Sequence, residues 1–97
     1  MSRRRYLVAY DIREPTRLRS VHAAMKAFGY PMQYSVFICD LDSVEKTNLR
    51  LEVGIRMNQR EDSVLLVDLG DPSTRGVDCF EFMGARPPLP GGGPTIV

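Results

Sequence analysis

Tyr6-Leu7-Val8-Ala9-Tyr10-Asp11-Ile12 is the stretch on which the reading of this chain turns. Residues 5–12 form a nearly continuous apolar run, the pattern of a strand buried on both faces in a sheet centre. The run ends on a carboxylate, and a buried strand has no use for an ionised side chain. Asp11 therefore caps the next helix, shapes the turn through Arg13, or does chemistry. The chemical reading is a ligand for a hard cation, because Mg²⁺ prefers oxygen donors and often takes only one or two carboxylates. One aspartate per chain is thin for that task, but a two-fold axis beside it brings a second copy.

Working outward, Pro15 sits where a first helical turn tolerates it, with Glu14 or Asp11 available to satisfy free N–H groups. Leu18, Val21, His22, Met25 and Phe28 recur at spacings of three and four, which predicts an amphipathic helix over 15–28 with Gly29 as its C-cap. Residues 32–41 are rich in aromatic and β-branched side chains and read as a kinked strand or a tight hairpin. Asp42 with Glu45 has capping-box spacing and starts a second helix near Ser43. Leu49, Leu51, Val53, Ile55 and Met57 alternate like a strand, but the cap and the charged opening favour helix through about residue 58. Residues 63–69 form a further strand, entered through the charged turn 58–62. Gly70-Asp71-Pro72-Ser73 is a turn, and 79–83 reads as a short fifth strand.

This order predicts an α+β, ferredoxin-like βαββαβ sandwich with an additional C-terminal strand. The domain spans 1–86, and residues 87–97 form a Pro/Gly-rich tail whose apolar end, Thr95-Ile96-Val97, is expected to dock on a sheet edge, that of a partner included. The fold alone implies no activity.

At 97 residues and 43% hydrophobic, the chain has one modest core of the kind often completed by self-association. It has no run long enough for a membrane span. The basic start Ser2-Arg3-Arg4-Arg5 leads straight into a strand rather than a cleavage site, so a cytoplasmic protein is expected. Cys39 and Cys79 lack CxxC spacing and read as reduced, buried thiols. The net charge of +1 conceals an asymmetry: residues 1–30 hold seven basic and two acidic side chains, the remainder six and ten. A basic third beside an acidic remainder suggests a polyanion footprint, or else a solvated helix face with a basic terminus.

Arg17 and Arg19 flank Leu18 near a helix N-terminus, where helix stability has no need of cations, so they have a task outside the helix or are solvated surface charge. His22 reads as a satisfied, half-buried imidazole. Tyr10, Tyr34 and Phe37 suit base stacking or the core. There is no dinucleotide fingerprint, Walker loop, zinc spacing or nucleophile elbow, so no organic cofactor is expected.

The strings YLVAYDI, RLRSVH, GYPMQYSVF and EDSVLLVDL together resemble the small CRISPR-associated nuclease family of the spacer-acquisition machinery, the smaller of the two universal adaptation proteins. The resemblance spans about residues 5–70. It implies a ferredoxin-like homodimer in which Asp11 of both protomers holds a divalent cation, Mg²⁺ or Mn²⁺, for phosphodiester hydrolysis of RNA or DNA. It also implies that Tyr10, Arg17, Arg19, Ser35 and Phe37 lie at or near positions tied to nucleic-acid contact or activity, and that the tail strand crosses to the partner. Pro31 departs from a basic residue that some members carry there. Two rival functions follow: a non-catalytic DNA-binding adaptor dimer that bridges the CRISPR integrase, and a toxin-like ribonuclease of the same fold. A small-molecule-sensing dimer has no ligand-loop motif behind it.

Overall fold

The computed structural model describes residues 2–75 and 79–85. Four antiparallel strands, β1 (Arg4–Asp11), β2 (Tyr30–Gln33), β3 (Val36–Leu41) and β4 (Ser63–Gly70), form one sheet in the order β2-β3-β1-β4. The helices α1 (Pro15–Met25) and α2 (Ser43–Gly54) cover one face, and a single turn, α3 (Pro72–Arg75), follows β4. This is the expected ferredoxin-like α+β sandwich. Among the described residues no helix is long and apolar enough to cross a membrane.

Strand alternation explains the core. Tyr6, Val8 and Tyr10 of β1 and Phe37, Cys39 and Leu41 of β3 point to the helices, where Val21 and Met25 of α1 and Leu49 and Val53 of α2 meet them. The opposite face carries Leu7 and Ala9 of β1 and Leu65 and Val67 of β4, with Leu65 58% exposed. The central strand is thus not buried on both faces within one protomer, as its apolar run suggested. That second face is only partly covered: Leu7 and Ala9 are half-buried and Leu65 and Val67 exposed, whereas Ile38 and Arg5 on the same face are buried.

The capping box at α2 forms as predicted: the Asp42 carboxylate accepts from the Glu45 N–H at 2.8 Å, and Glu45 accepts from the Asp42 N–H at 2.9 Å. The strand-like alternation beyond it is two i,i+4 helical pairs on different faces. Leu49 and Val53 are buried, whereas Leu51 and Ile55 point outward. The helix stops at Gly54 rather than near 58, and 32–41 resolves into the β2–β3 hairpin, which begins at Tyr30. α1 ends at Met25, with Lys26 as its C-cap. Gly29 is therefore not the cap. It is needed because a Cβ there would collide with the Ile38 carbonyl oxygen and Cys39 Sγ. Residues 79–83 form no strand; Cys79 lies in a turn and none of the five pairs with the sheet. The tail over 87–97 lies outside the described residues.

Candidate active site

Asp11 ends β1 on the face opposite the helices, one residue after Tyr10 has turned toward them. Both structural tasks that could have claimed its carboxylate are taken by other residues. Glu14 is the N-cap of α1, its Oε1 accepting from the Arg17 N–H at 2.7 Å. Asp62, at the start of β4, shapes the turn: its Oδ1 accepts from the Arg13 N–H at 2.8 Å and its Oδ2 from the Asn58 N–H at 2.8 Å. Asp11 is exposed, and its carboxylate has no hydrogen bond or ion pair with another described residue. Its hard oxygen donors suit a divalent cation. No group of three or more metal-ligating side chains occurs among the described residues.

Asp62 is the residue that sequence reasoning missed. Its side chain is fully buried and also accepts from Arg17 Nε at 2.9 Å and Nη2 at 3.2 Å. The Arg17 guanidinium first, then the two backbone N–H groups, hold its carboxyl well below the usual carboxylate range. The ordinary look of Asp62 inside a charged turn gave no signal; only the contact across 45 residues reveals it.

The other expected residues separate into distinct environments. Arg17 is bound to Asp62 and, through Nη2, to Glu61 at 3.0 Å. Arg19 is exposed, and among the described residues its side chain makes one hydrogen bond, at 3.4 Å to Thr16 Oγ1. Tyr10 is buried, and its hydroxyl donates to the Tyr34 carbonyl at 2.9 Å and lies 3.0 Å from His22 Nδ1. Burial pushes this phenol up to about 12, so it stays neutral. The Tyr10 N–H donates to the Ser35 carbonyl at 3.0 Å, which seats the half-buried Ser35 and the β2–β3 turn at the Asp11 end of the sheet. Phe37 is fully buried between Tyr10 and His22, so its ring belongs to the core and is not presented to a ligand.

The basic N-terminal third is largely neutralised inside the fold. Arg3 pairs with Glu45, Arg4 with Asp68, Arg5 with Asp40 and Arg17 with Glu61 and Asp62. Of the seven basic side chains before residue 30, only Arg13, Arg19 and Lys26 form no ion pair among the described residues. The polyanion footprint expected from the charge count therefore shrinks to the α1 side of the molecule.

A sequence model described as CRISPR associated protein Cas2 matches residues 4–76. The chain belongs to the Cas2 family. A Geobacter sulfurreducens protein named CRISPR-associated endoribonuclease Cas2 is 40% identical over 65 residues, covering 67% of this chain and 68% of its own. A Halalkalibacterium halodurans protein named CRISPR-associated endonuclease Cas2 is 33% identical over 88 residues, covering 86% and 88%. Among solved structures, Streptococcus pyogenes Cas2 superposes with a TM-score of 0.70 at 26% identity, over 82% of this chain and 99% of that one. A hypothetical protein from Thermus thermophilus gives 0.75 at 28% identity, over 88% and 95%. The matched span runs from β1 to α3 and so holds Asp11 and Asp62 as well as the β2–β3 turn.

Proposed function

We propose that this Cas2-family chain works as a homodimer that cleaves phosphodiester bonds of RNA or DNA with a divalent cation, in the cytoplasm, during CRISPR spacer acquisition. The observation that carries the reading is the free Asp11 carboxylate at the end of a sheet face on which Leu65 and Val67 are exposed, with capping and turn-shaping left to Glu14 and Asp62. Pairing two such faces covers Leu65 and Val67 and gives the exposed apolar surface a partner. It also lets two Asp11 carboxylates share one ion, which supports Mg²⁺ or Mn²⁺ as the cofactor. When bound, the ion supplies charge stabilisation at the phosphate and a more acidic attacking water. Asp11 holds it, and Arg19 attracts and orients the backbone phosphates. Asp62 and Arg17 act through position, by fixing the loop that follows Asp11.

Cleavage of RNA, single-stranded DNA and duplex DNA, with Mg²⁺, Mn²⁺ or EDTA, tests this reading against Asp11→Ala. Loss of metal-dependent cleavage is expected, and undiminished cleavage by the variant sinks the assignment. Leu65→Asp is expected to shift the protein toward monomer in sedimentation and to lower cleavage with it.

A second reading is the non-catalytic adaptor that bridges the CRISPR integrase. The commitment of Arg17 to internal ion pairs, which takes it out of the catalytic reading, favours it. Spacer acquisition that survives Asp11→Ala but not Arg19→Glu decides for the adaptor.

A further inference from the structure

Tyr34 is placed in a way that neither the core nor the turn requires. Its backbone is already secured, since its carbonyl accepts from the Tyr10 hydroxyl at 2.9 Å and lies 2.9 Å from His22 Nδ1. Its ring nevertheless lies parallel to the His22 imidazole, with centroids 4.1 Å apart and planes 6° from parallel. His22 is itself braced edge-on by the buried Phe37 at 5.5 Å. Tyr34 remains 53% exposed, so with His22 against one ring face the other is open to solvent. A rigid aromatic face with its rotamer fixed from behind has little entropy left to lose on stacking.

The surroundings supply charge of one sign. Arg19, His22 and Lys26 stand at i, i+3 and i+7 along α1 and so share one helix face. Arg19 and Lys26 are two of the three cations of the N-terminal third without an ion pair among the described residues. These two cations thus lie one helical turn to either side of His22, while Tyr34 sits in the β2–β3 turn that Ser35 ties to Tyr10.

We propose that the open face of Tyr34, backed by His22 and flanked by Arg19 and Lys26, is a stacking platform for a nucleobase of an unpaired strand. A base inside a duplex is stacked on both faces and is not available to it, so the ligand is single-stranded nucleic acid or a frayed duplex end. Phosphates of the same strand then run along the Arg19–Lys26 face of α1. The proposal rests on the nucleic-acid reading above and narrows its substrate class.

The test uses the full-length protein and short single-stranded oligonucleotides carrying 2-aminopurine or an abasic site, in EDTA so that binding is read without cleavage. The wild-type protein is expected to quench 2-aminopurine and to bind the abasic strand about tenfold more weakly, the scale of one base–aromatic stack. Tyr34→Ala is expected to lose both effects, Tyr34→Phe to keep them, and Tyr30→Ala, at the other exposed tyrosine, to leave them unchanged. Should Tyr34→Ala fail to fold by circular dichroism, Tyr34→Leu takes its place. Tight binding with no abasic penalty, or quenching that persists in the Tyr34 variant, overturns the platform and leaves the nucleic-acid reading standing. Absence of binding to single-stranded and duplex probes alike overturns both.

Discussion

Replacing Phe37 by alanine separates a core side chain from a ligand contact at a position where family resemblance and geometry point in different directions. The ring is fully buried, sits opposite Val8 in the β1–β3 ladder, and packs on Tyr10 and edge-on to His22. Truncating a buried phenylalanine costs about 3–5 kcal/mol, because the transfer free energy is lost and the cavity collapses only in part. A domain of this size has about 5–15 kcal/mol in total, so the loss is a large share of its stability. At about 4–8 °C per kcal/mol, Tm should fall by at least about 12 °C. The assay is thermal unfolding by circular dichroism at one fixed protein concentration, since dimerisation makes Tm concentration-dependent. Oligonucleotide binding is measured in parallel, well below the variant's Tm. Because Phe37 also braces His22 behind Tyr34, binding is expected to weaken together with stability. A fall in Tm of less than about 4 °C, with binding lost, would refute the reasoning and make Phe37 a direct contact.

Arg19→Gln should reduce the slope of log affinity against log salt by about 0.7–0.9 while leaving Tm unchanged, since among the described residues Arg19 makes one side-chain hydrogen bond, at 3.4 Å to Thr16. Arg17→Gln should lower Tm, because it leaves the buried Asp62 without its counter-charge; an unchanged Tm contradicts the positioning role. Glu45 is depressed from 4.5 to about 2, first by the Arg3 hydrogen bond and then by the Asp42 N–H. A depressed carboxylate stabilises the fold above its unfolded value, so its contribution is complete above about pH 4.5 and is lost as pH falls toward 2. Glu45→Gln should therefore flatten the decline of Tm across that window, and identical profiles count against the assignment. Gly29→Ala should cost about 1–3 kcal/mol in urea unfolding, because the obstructing Ile38 carbonyl is backbone and cannot swing aside.

The sequence by itself determined everything that depends on near neighbours. A nearly continuous apolar run marked β1, the Asp42–Glu45 spacing marked the start of α2, and the YDI and QYSVF strings pointed to the family. Asp11 could be singled out but not assigned, since cap, turn and ligand all look alike from one side of the chain. The tertiary structure set cap and turn aside by showing which carboxylates already fill them. Glu14 caps α1 from three residues away, while Asp62 reaches back 49 residues to Arg13. The basic N-terminus is explained in the same way, by partners 35, 42 and 64 residues distant. Such pairings are set by strand register and by how helices lie on a sheet, which no local pattern encodes. Tyr34 needed the same information. From sequence its ring suits the core as well as base stacking, until α1 is folded against the hairpin and His22 comes to lie flat behind it.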